Sequence, residues 1–449
     1  MTFAHKLIAA SFATGLVCSS ALAGTSSTGK LSEHFENTQA PSQSVKLSLS
    51  TAVKVALADN PSLATMRSRA KAMSAIPSQV GTLPDPKLSF NALNLPVDTF
   101  NVGQEGMTQM QVGFSQAFPF PGKLGLRENA ADYEAQAAGS EVDETRLWLI
   151  RSARSAWWQL LYLDKALDIV VKNQALLREF VKIAQTKYTV GKGLQQDVLL
   201  AQLELSRLLD QQVRLTGVRR NEEARLNALL NWPTTKSLTL KYKSDLKLPS
   251  LLKEADLHRQ AETTRPLLTA QRNYISAARS RVDLAKKDYY PDFNVGAVYG
   301  FRSGFNNGIE RPDFASLLFS MSLPIYTGSK QDRAMDQRNS ELLQQNYKLQ
   351  DTLQRVREEI SQAMADYKRA SEQATLYKDG IIPQARQTVD SMLAGYQVNK
   401  VDFLNLVRSQ ITLYNYETQY WLSFSSAQQA LAAIEAVVGT ENIYTEDSL

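Results

Sequence analysis

The sequence predicts a mainly α-helical fold that carries a membrane β-barrel portion and is built twice from one pattern. Three observations predict it. Two very long stretches carry apolar residues at helical spacing and almost no proline. Four runs of about ten residues alternate apolar and polar side chains, the pattern of a membrane β-strand. The punctuation of the first half also recurs in the second at an offset of roughly 205 residues, the signature of an internal repeat.

The repeat is read from marks that keep their order. Asn60-Pro61-Ser62-Leu63 answers to Arg265-Pro266-Leu267-Leu268, and Pro84-Asp85 answers to Pro291-Asp292. Phe114-Ser115 with Pro119, Gly122 and Lys123 answers to Phe319-Ser320 with Pro324, Gly328 and Lys330. Tyr188-Thr189-Val190 with Asp197 answers to Tyr396-Gln397-Val398 with Asp402. A first repeat over residues 47–235 and a second over 250–440 are expected, with a polar segment at 24–46 and a tail at 441–449.

Each repeat opens with short helices. Ser50 is the cap expected for the first, and Pro61 breaks it from the next, because proline lacks the N–H a helix interior needs. Strands are expected at about 87–95, 108–118, 292–302 and 314–324. Leu88, Phe90 and Ala92 alternate with Lys87, Ser89 and Asn91, and Met110, Val112, Phe114 and Phe118 with Gln109, Gln111, Gly113 and Ser115. In the second repeat Phe293, Val295, Ala297, Tyr299 and Phe301 oppose Asn294, Gly296, Gly300 and Arg302, while Leu317, Phe319 and Met321 oppose Ser316, Ser320 and Ser322. Each run alone reads more readily as a half-buried strand of an ordinary sheet. Four of them, grouped as two hairpins in a chain with no other membrane element, point to lipid.

Four strands do not close a barrel, since the smallest membrane barrels have about eight. An open edge in lipid leaves backbone groups unpaired at several kcal/mol each. Copies must therefore share one barrel, and closure alone leaves two or three copies open.

The helical stretches run from about Leu124 to Tyr188 and from about Lys330 to Gly380, with returns from Asp197 to Leu230 and from Asp402 to Val438. At about 1.5 Å per residue the first would be roughly 100 Å long, far more than a compact domain requires. Two antiparallel coiled-coil hairpins follow. Pro84, Pro86, Pro119, Pro121, Gly122, Pro291 and Pro324 stand between strands and helices, where the chain must change direction.

At the N-terminus His5 and Lys6, an apolar run from Leu7 to Val17 and Ala21-Leu22-Ala23 form a signal-peptide pattern over residues 1–23. Cys18 is the one cysteine, and Gly15-Leu16-Val17 before it fits a lipid-attachment box poorly. No later run of 18 or more apolar residues appears, which argues against a helical membrane span. The net charge of +5 is spread along amphipathic segments, and no nucleic-acid surface is expected from it.

Catalytic chemistry has no parts to work with. Beyond the signal stand two histidines, His34 and His258, and no zinc-protease, serine-elbow or phosphate-loop motif. No enzyme activity, cofactor or metal site is expected. Met107 and Met110 suit Cu(I) as thioethers, but a soft-metal site needs several converging ligands, so packing is the expected role.

The duplication, the Pro-Phe-Pro-Gly-Lys turn at 119–123 and the hairpin motifs Tyr188 to Gln202 and Tyr396 to Tyr414 together resemble the TolC family of outer-membrane efflux proteins over about residues 45–440. Leu83-Pro84-Asp85-Pro86 with Ser115 through Lys123 resembles its heavy-metal branch, which serves pumps of the resistance-nodulation-division (RND) type. The resemblance implies a homotrimer in outer-membrane lipid, with a twelve-stranded barrel continued by a twelve-helix periplasmic tunnel. It implies a periplasmic adaptor meeting the tips, Thr189, Val190, Gly191, Lys192 and Gly193 on one hairpin and Val398, Asn399 and Lys400 on the other. It also implies a gate of Asp197, Tyr396 and Asp402, with Asn405 where some relatives carry a second acidic ring. Counted from the tyrosine to the aspartate, the second tip is three residues shorter than the first and lacks its glycine. The same duct serving drug efflux or type I protein secretion is the alternative cargo; a coiled-coil structural or adhesive protein without a pore is the alternative of another class.

Overall fold

The computed structural model describes residues 45–242 and 246–444. The signal peptide, Cys18 and His34 lie outside them. The chain begins with β1 (Val45–Ser48), which pairs in parallel with β4 (Leu238–Lys241), a two-stranded sheet that sequence alternation did not reveal. Strand β1 thus reaches into the segment 24–46 expected to be only a polar N-terminal stretch. The helices α1 (Leu49–Asp59), α2 (Pro61–Ser74) and α3 (Ile76–Gly81) follow. The cap of α1 is Ser48 and not Ser50: Ser48 Oγ accepts the Thr51 N–H at 3.2 Å. Asn60 caps α2 by accepting from Ser62 N at 2.9 Å, and Pro61 takes the first helical position, where its missing N–H costs nothing.

Strands β2 (Lys87–Leu93) and β3 (Gln109–Phe118) lead into α4 (Lys123–Thr189), a single helix of 67 residues, and its return α5 (Gln195–Leu229). The second repeat runs α6 (Glu254–Thr264), α7 (Pro266–Lys287), β5 (Phe293–Phe301), β6 (Phe314–Met321) and α8 (Gln331–Thr375). Here the expected end at Gly380 is wrong. A π turn over Leu376–Ile381 joins α8 to α9 (Ile382–Gln397), so the ascending helix passes through Gly380 and Pro383 and matches the length of α4. Pro383 in a regular α-helix would clash with the carbonyl four residues back. The wider turn, in which Ile382 N–H bonds the Tyr377 carbonyl five residues back, relieves that clash. The return helix is α10 (Phe403–Val438).

The duplication is visible in how each repeat closes on itself. Asn60 Nδ2 donates to the Leu229 carbonyl at the end of α5 at 2.9 Å, and its repeat mate Arg265 donates to the Ala436 carbonyl near the end of α10 at 2.9 Å. Each joins the entry to its second short helix to the last turn of the return helix and satisfies a carbonyl there.

The core lies where the four long helices meet the short ones. Trp157, Trp158, Leu160 and Leu161 of α4 pack on Leu226 and Leu230, Phe424 of α10 and Leu47 of β1, and the Trp157 indole N–H reaches the Leu47 carbonyl at 3.2 Å. A second cluster joins Val356, Ile360 and Tyr367 of α8 to Ile434 and Val438 of α10 and Leu257 and Leu268. It includes Ile443, fully buried, so the first residues of the supposed tail belong to the packed fold; Leu252 N–H bonds the Ile443 carbonyl at 2.9 Å. Nearer the strands α4 meets α7 through small residues, Ala130, Ala131, Ala137 and Ala138 facing Ala277, Ala278 and Ala285, which lets the backbones approach closely.

Candidate functional site

At one end of the molecule lie the two helical hairpin tips. Helix α4 ends at Thr189 and α5 begins at Gln195; α9 ends at Gln397 and α10 begins at Phe403. The connecting loops therefore have equal length, and the expected three-residue shortening of the second tip is wrong. Both tips fold identically. Gly191 (φ 71°) and Asn399 (φ 61°) take the left-handed conformation just past each helix. Lys192 N–H then bonds the Lys187 carbonyl at 2.8 Å and Lys400 N–H the Gly395 carbonyl at 2.9 Å, the six-to-one bond that closes a helix C-terminus. Asparagine replaces the glycine because its short polar side chain tolerates positive φ.

This geometry changes which residues correspond. Leu194, the cap of α5, is matched by Asp402, the cap of α10. Three residues on, Asp197 is matched by Asn405. The two aspartates paired by sequence thus occupy different positions on their helices. Asp197 is not the N-cap but sits inside the first turn of α5, with a backbone hydrogen bond from Leu194. The two remain close enough to repel. Burial first, with the Asp402 charge adding, raises the Asp197 carboxyl above the usual carboxylate range, against the Leu194 hydrogen bond and Lys187.

Tyr396 is 5% exposed and packs on Phe403 at 5.1 Å between ring centroids, with Phe180 behind it. Its hydroxyl is buried without a hydrogen-bond partner, and burial, with Asp197 adding, pushes the phenol up. Lys187 is the residue that sequence reasoning missed. Its ammonium lies 4.1 Å from the centre of the Tyr396 ring, donates to Asn399 Oδ1 at 2.6 Å and also bonds the Tyr396 carbonyl. One cation from the first tip thus holds the second. Its position one residue before Tyr188 was the available signal, but only the fold shows which hairpin it faces. Thr189, Val190, Gly191, Lys192, Val398, Asn399 and Lys400 are exposed, and Gly193 is partly covered by Lys187.

At the other end the four strands form one antiparallel sheet in the order β2-β3-β5-β6. Its register aligns the four alternations. Phe90 stands opposite Val112, Val112 opposite Tyr299, and Tyr299 opposite Ala315; in the next rows Leu88, Phe114, Ala297 and Leu317 align, and Val295 faces Phe319. All of these share one face. The other face carries Ser89, Gly113, Val298 and Ser316 in one row and Lys87, Ser115, Gly296 and Leu318 in another. Glycine is required at 296, where a Cβ would sit 3.0 Å from the Phe114 carbonyl oxygen.

The prolines frame this sheet. Pro84 and Pro86 separate α3 from β2, Pro119, Pro121 and Gly122 separate β3 from α4, Pro291 separates α7 from β5, and Pro324 lies between β6 and α8. Gly122 sits at φ 89°, a conformation that favours glycine. Beside it, Lys123 is 3% exposed and its ammonium lies 3.1 Å from Asp288 and 2.9 Å from Asp292. Burial works to raise the Asp292 carboxyl; the Phe120 N–H bond at 2.7 Å and Lys123 outweigh it and hold the group below its ordinary range. Among the described residues no His, Cys, Asp and Glu cluster fits a metal ion, and no helix is long and apolar enough to cross a membrane. Met107 and Met110 are both exposed.

A four-stranded sheet with one apolar face, continued by two helical hairpins, with half of each supplied by either repeat, is the architecture expected of an outer-membrane efflux protein. Residues 52–231 and 257–440 match the Outer membrane efflux protein family, and the chain belongs to it. Over 401 residues it is 21% identical to the cobalt-zinc-cadmium resistance protein CzcC of Cupriavidus metallidurans, covering 88% of this chain and 90% of that one. A 175-residue stretch, 39% of this chain, is 21% identical to 38% of an uncharacterized Haemophilus influenzae protein. Among solved structures, the outer membrane protein VceC of Vibrio cholerae superposes with a TM-score of 0.74 at 18% identity, over 87% of this chain and 96% of that one. The transmembrane channel CusC gives 0.73 at 14% identity, over 88% and 93%. The expected TolC-type fold is thereby established.

Proposed function

We propose that the protein is the exit duct of a three-part efflux machine: a homotrimer whose twelve strands close one barrel in outer-membrane lipid and whose helices continue it as a periplasmic tunnel. The observation that carries this reading is the pair of open edges. β2 and β6 each pair with one strand only, so each edge strand of an apolar-faced sheet lacks a neighbour on its outer side. In lipid those backbone groups need partners, and another copy supplies them. Three copies follow from the family resemblance.

The hairpin tips form the periplasmic entrance in this reading. Asp197, Asp402 and Asn405 line it, Tyr396 anchors the second hairpin through Lys187, and the exposed Val190 and Val398 meet a periplasmic adaptor. Conduction is passive; the RND pump of the inner membrane supplies the energy. The cargo is proposed to be heavy-metal ions, which the similarity to CzcC over most of both chains supports.

Replacing both Asp197 and Asp402 by Ala shortens the side chains that narrow the entrance and should raise single-channel conductance in planar bilayers, a size effect separate from the repulsion between the two charges; unchanged conductance would remove them from the gate. A deletion strain tested on copper, silver, zinc, cobalt, cadmium and common antibiotics should be sensitive to metals alone. Sensitivity to drugs alone would leave the duct and refute the cargo.

A further inference from the structure

The seam between the two repeats inside one chain is a template for the contact between copies. At that seam repeat 1 presents β3, α4 and the turn before α4, and repeat 2 presents β5, α7 and the turn before β5. The Phe120 ring stacks on Tyr290 at 4.6 Å, and Lys123 is buried against Asp288 and Asp292. The repeat mates of these groups lie on the two open edges. Lys330, mate of Lys123, stands beside β6; Asp85, mate of Asp292, stands beside β2. Both are exposed, and among the described residues neither side chain makes an ion pair or hydrogen bond. Ile325, mate of Phe120, is 71% exposed, and Leu83, mate of Tyr290, is 43% exposed. The β6 edge therefore offers Lys330 and Ile325 at the places where the β2 edge offers Asp85 and Leu83, charges of opposite sign each beside an apolar group.

We infer that neighbouring copies join head to tail by repeating the internal seam, with Lys330 of one copy paired to Asp85 of the next and Ile325 packed on its Leu83. This rests on the proposed shared barrel and deepens it to a register. Carrying the β3–β5 pairing over to β6 and the next copy's β2 sets Phe319 opposite Phe90, Met321 opposite Leu88 and Leu317 opposite Ala92. All six already belong to the apolar face. A register one residue off would turn one strand over, so this agreement is independent of the charge match.

The test uses the full-length protein in outer membranes. Asp85→Cys with Lys330→Cys should give disulfide-linked dimers and trimers under mild oxidation, lost on reduction, and either single variant should give none. Phe90→Cys with Phe319→Cys should also cross-link, whereas Phe90→Cys with Ser320→Cys should give on the order of tenfold less, since the two side chains then leave opposite faces. Lys330→Glu and Asp85→Lys should each lower the heat resistance of the assembly, and the exchange of both should restore it. Assembled protein in which neither matched pair cross-links, or in which the charge exchange restores nothing, overturns the edge assignment alone. Wild-type protein that stays monomeric under an amine cross-linker overturns the shared barrel itself.

Discussion

Lys187 and Asp197 place opposite charges on the first hairpin tip, and they act on the second tip in opposite senses. Lys187 draws it in through Asn399 and the Tyr396 ring, while Asp197 repels Asp402. Lys187→Met keeps the stem over the ring and removes the charge. A partly exposed charged hydrogen bond of this kind contributes about 1 kcal/mol, so amide exchange at 395–400 should quicken several-fold while the core stays protected. The pH dependence has a definite sign. A carboxyl whose folded value is raised stabilises the closed tip fully below its unfolded value, and the contribution is lost as pH rises through the raised folded value. The closed entrance should therefore live longer at acid pH than at neutral pH in bilayer recordings, and Asp197→Asn should abolish the difference.

Among the elements, the four strands were legible because one face is apolar and the other mostly small or polar, with Val298 and Leu318 as exceptions, and that difference is written at period two. Phe319→Arg on the apolar face should destabilise the barrel by about 2–4 kcal/mol, the cost of a charge near the bilayer midplane. Ser320→Arg, on the opposite face, should cost far less; heat resistance of the assembled form in lipid vesicles measures both. Other elements left weaker marks. The β1–β4 pair has four residues per strand, too few to establish a period. The π turn escaped because Gly380 read as the end of the helix, whereas the helix continues through it and Pro383, packed against α10. The equal tips escaped because Asn399 does a glycine's work at positive φ, so counting from tyrosine to aspartate compared different positions. Ser50 was displaced as cap by Ser48 because pairing with β4 holds the chain extended through Ser48 and the helix starts immediately after.

On the scale of the whole molecule the sheet leaves two edge strands without an outer neighbour among the described residues. The sheet ends in β2 on one side and β6 on the other, and the helical layer follows the same order, with α7 between α4 and α8, and α10 between α4 and the α8–α9 helix. The duplication makes the inner seam and the outer edges variants of one contact, which is why a chain with two repeats suits cyclic closure. The residues proposed for the gate were named one at a time from the resemblance; their arrangement was not legible, since it depends on which hairpin lies beside which. Native mass spectrometry of the protein extracted from outer membranes in mild detergent tests the shared duct most directly. A mass of three mature chains is expected, and a species that remains a single chain under conditions preserving membrane assemblies would contradict it.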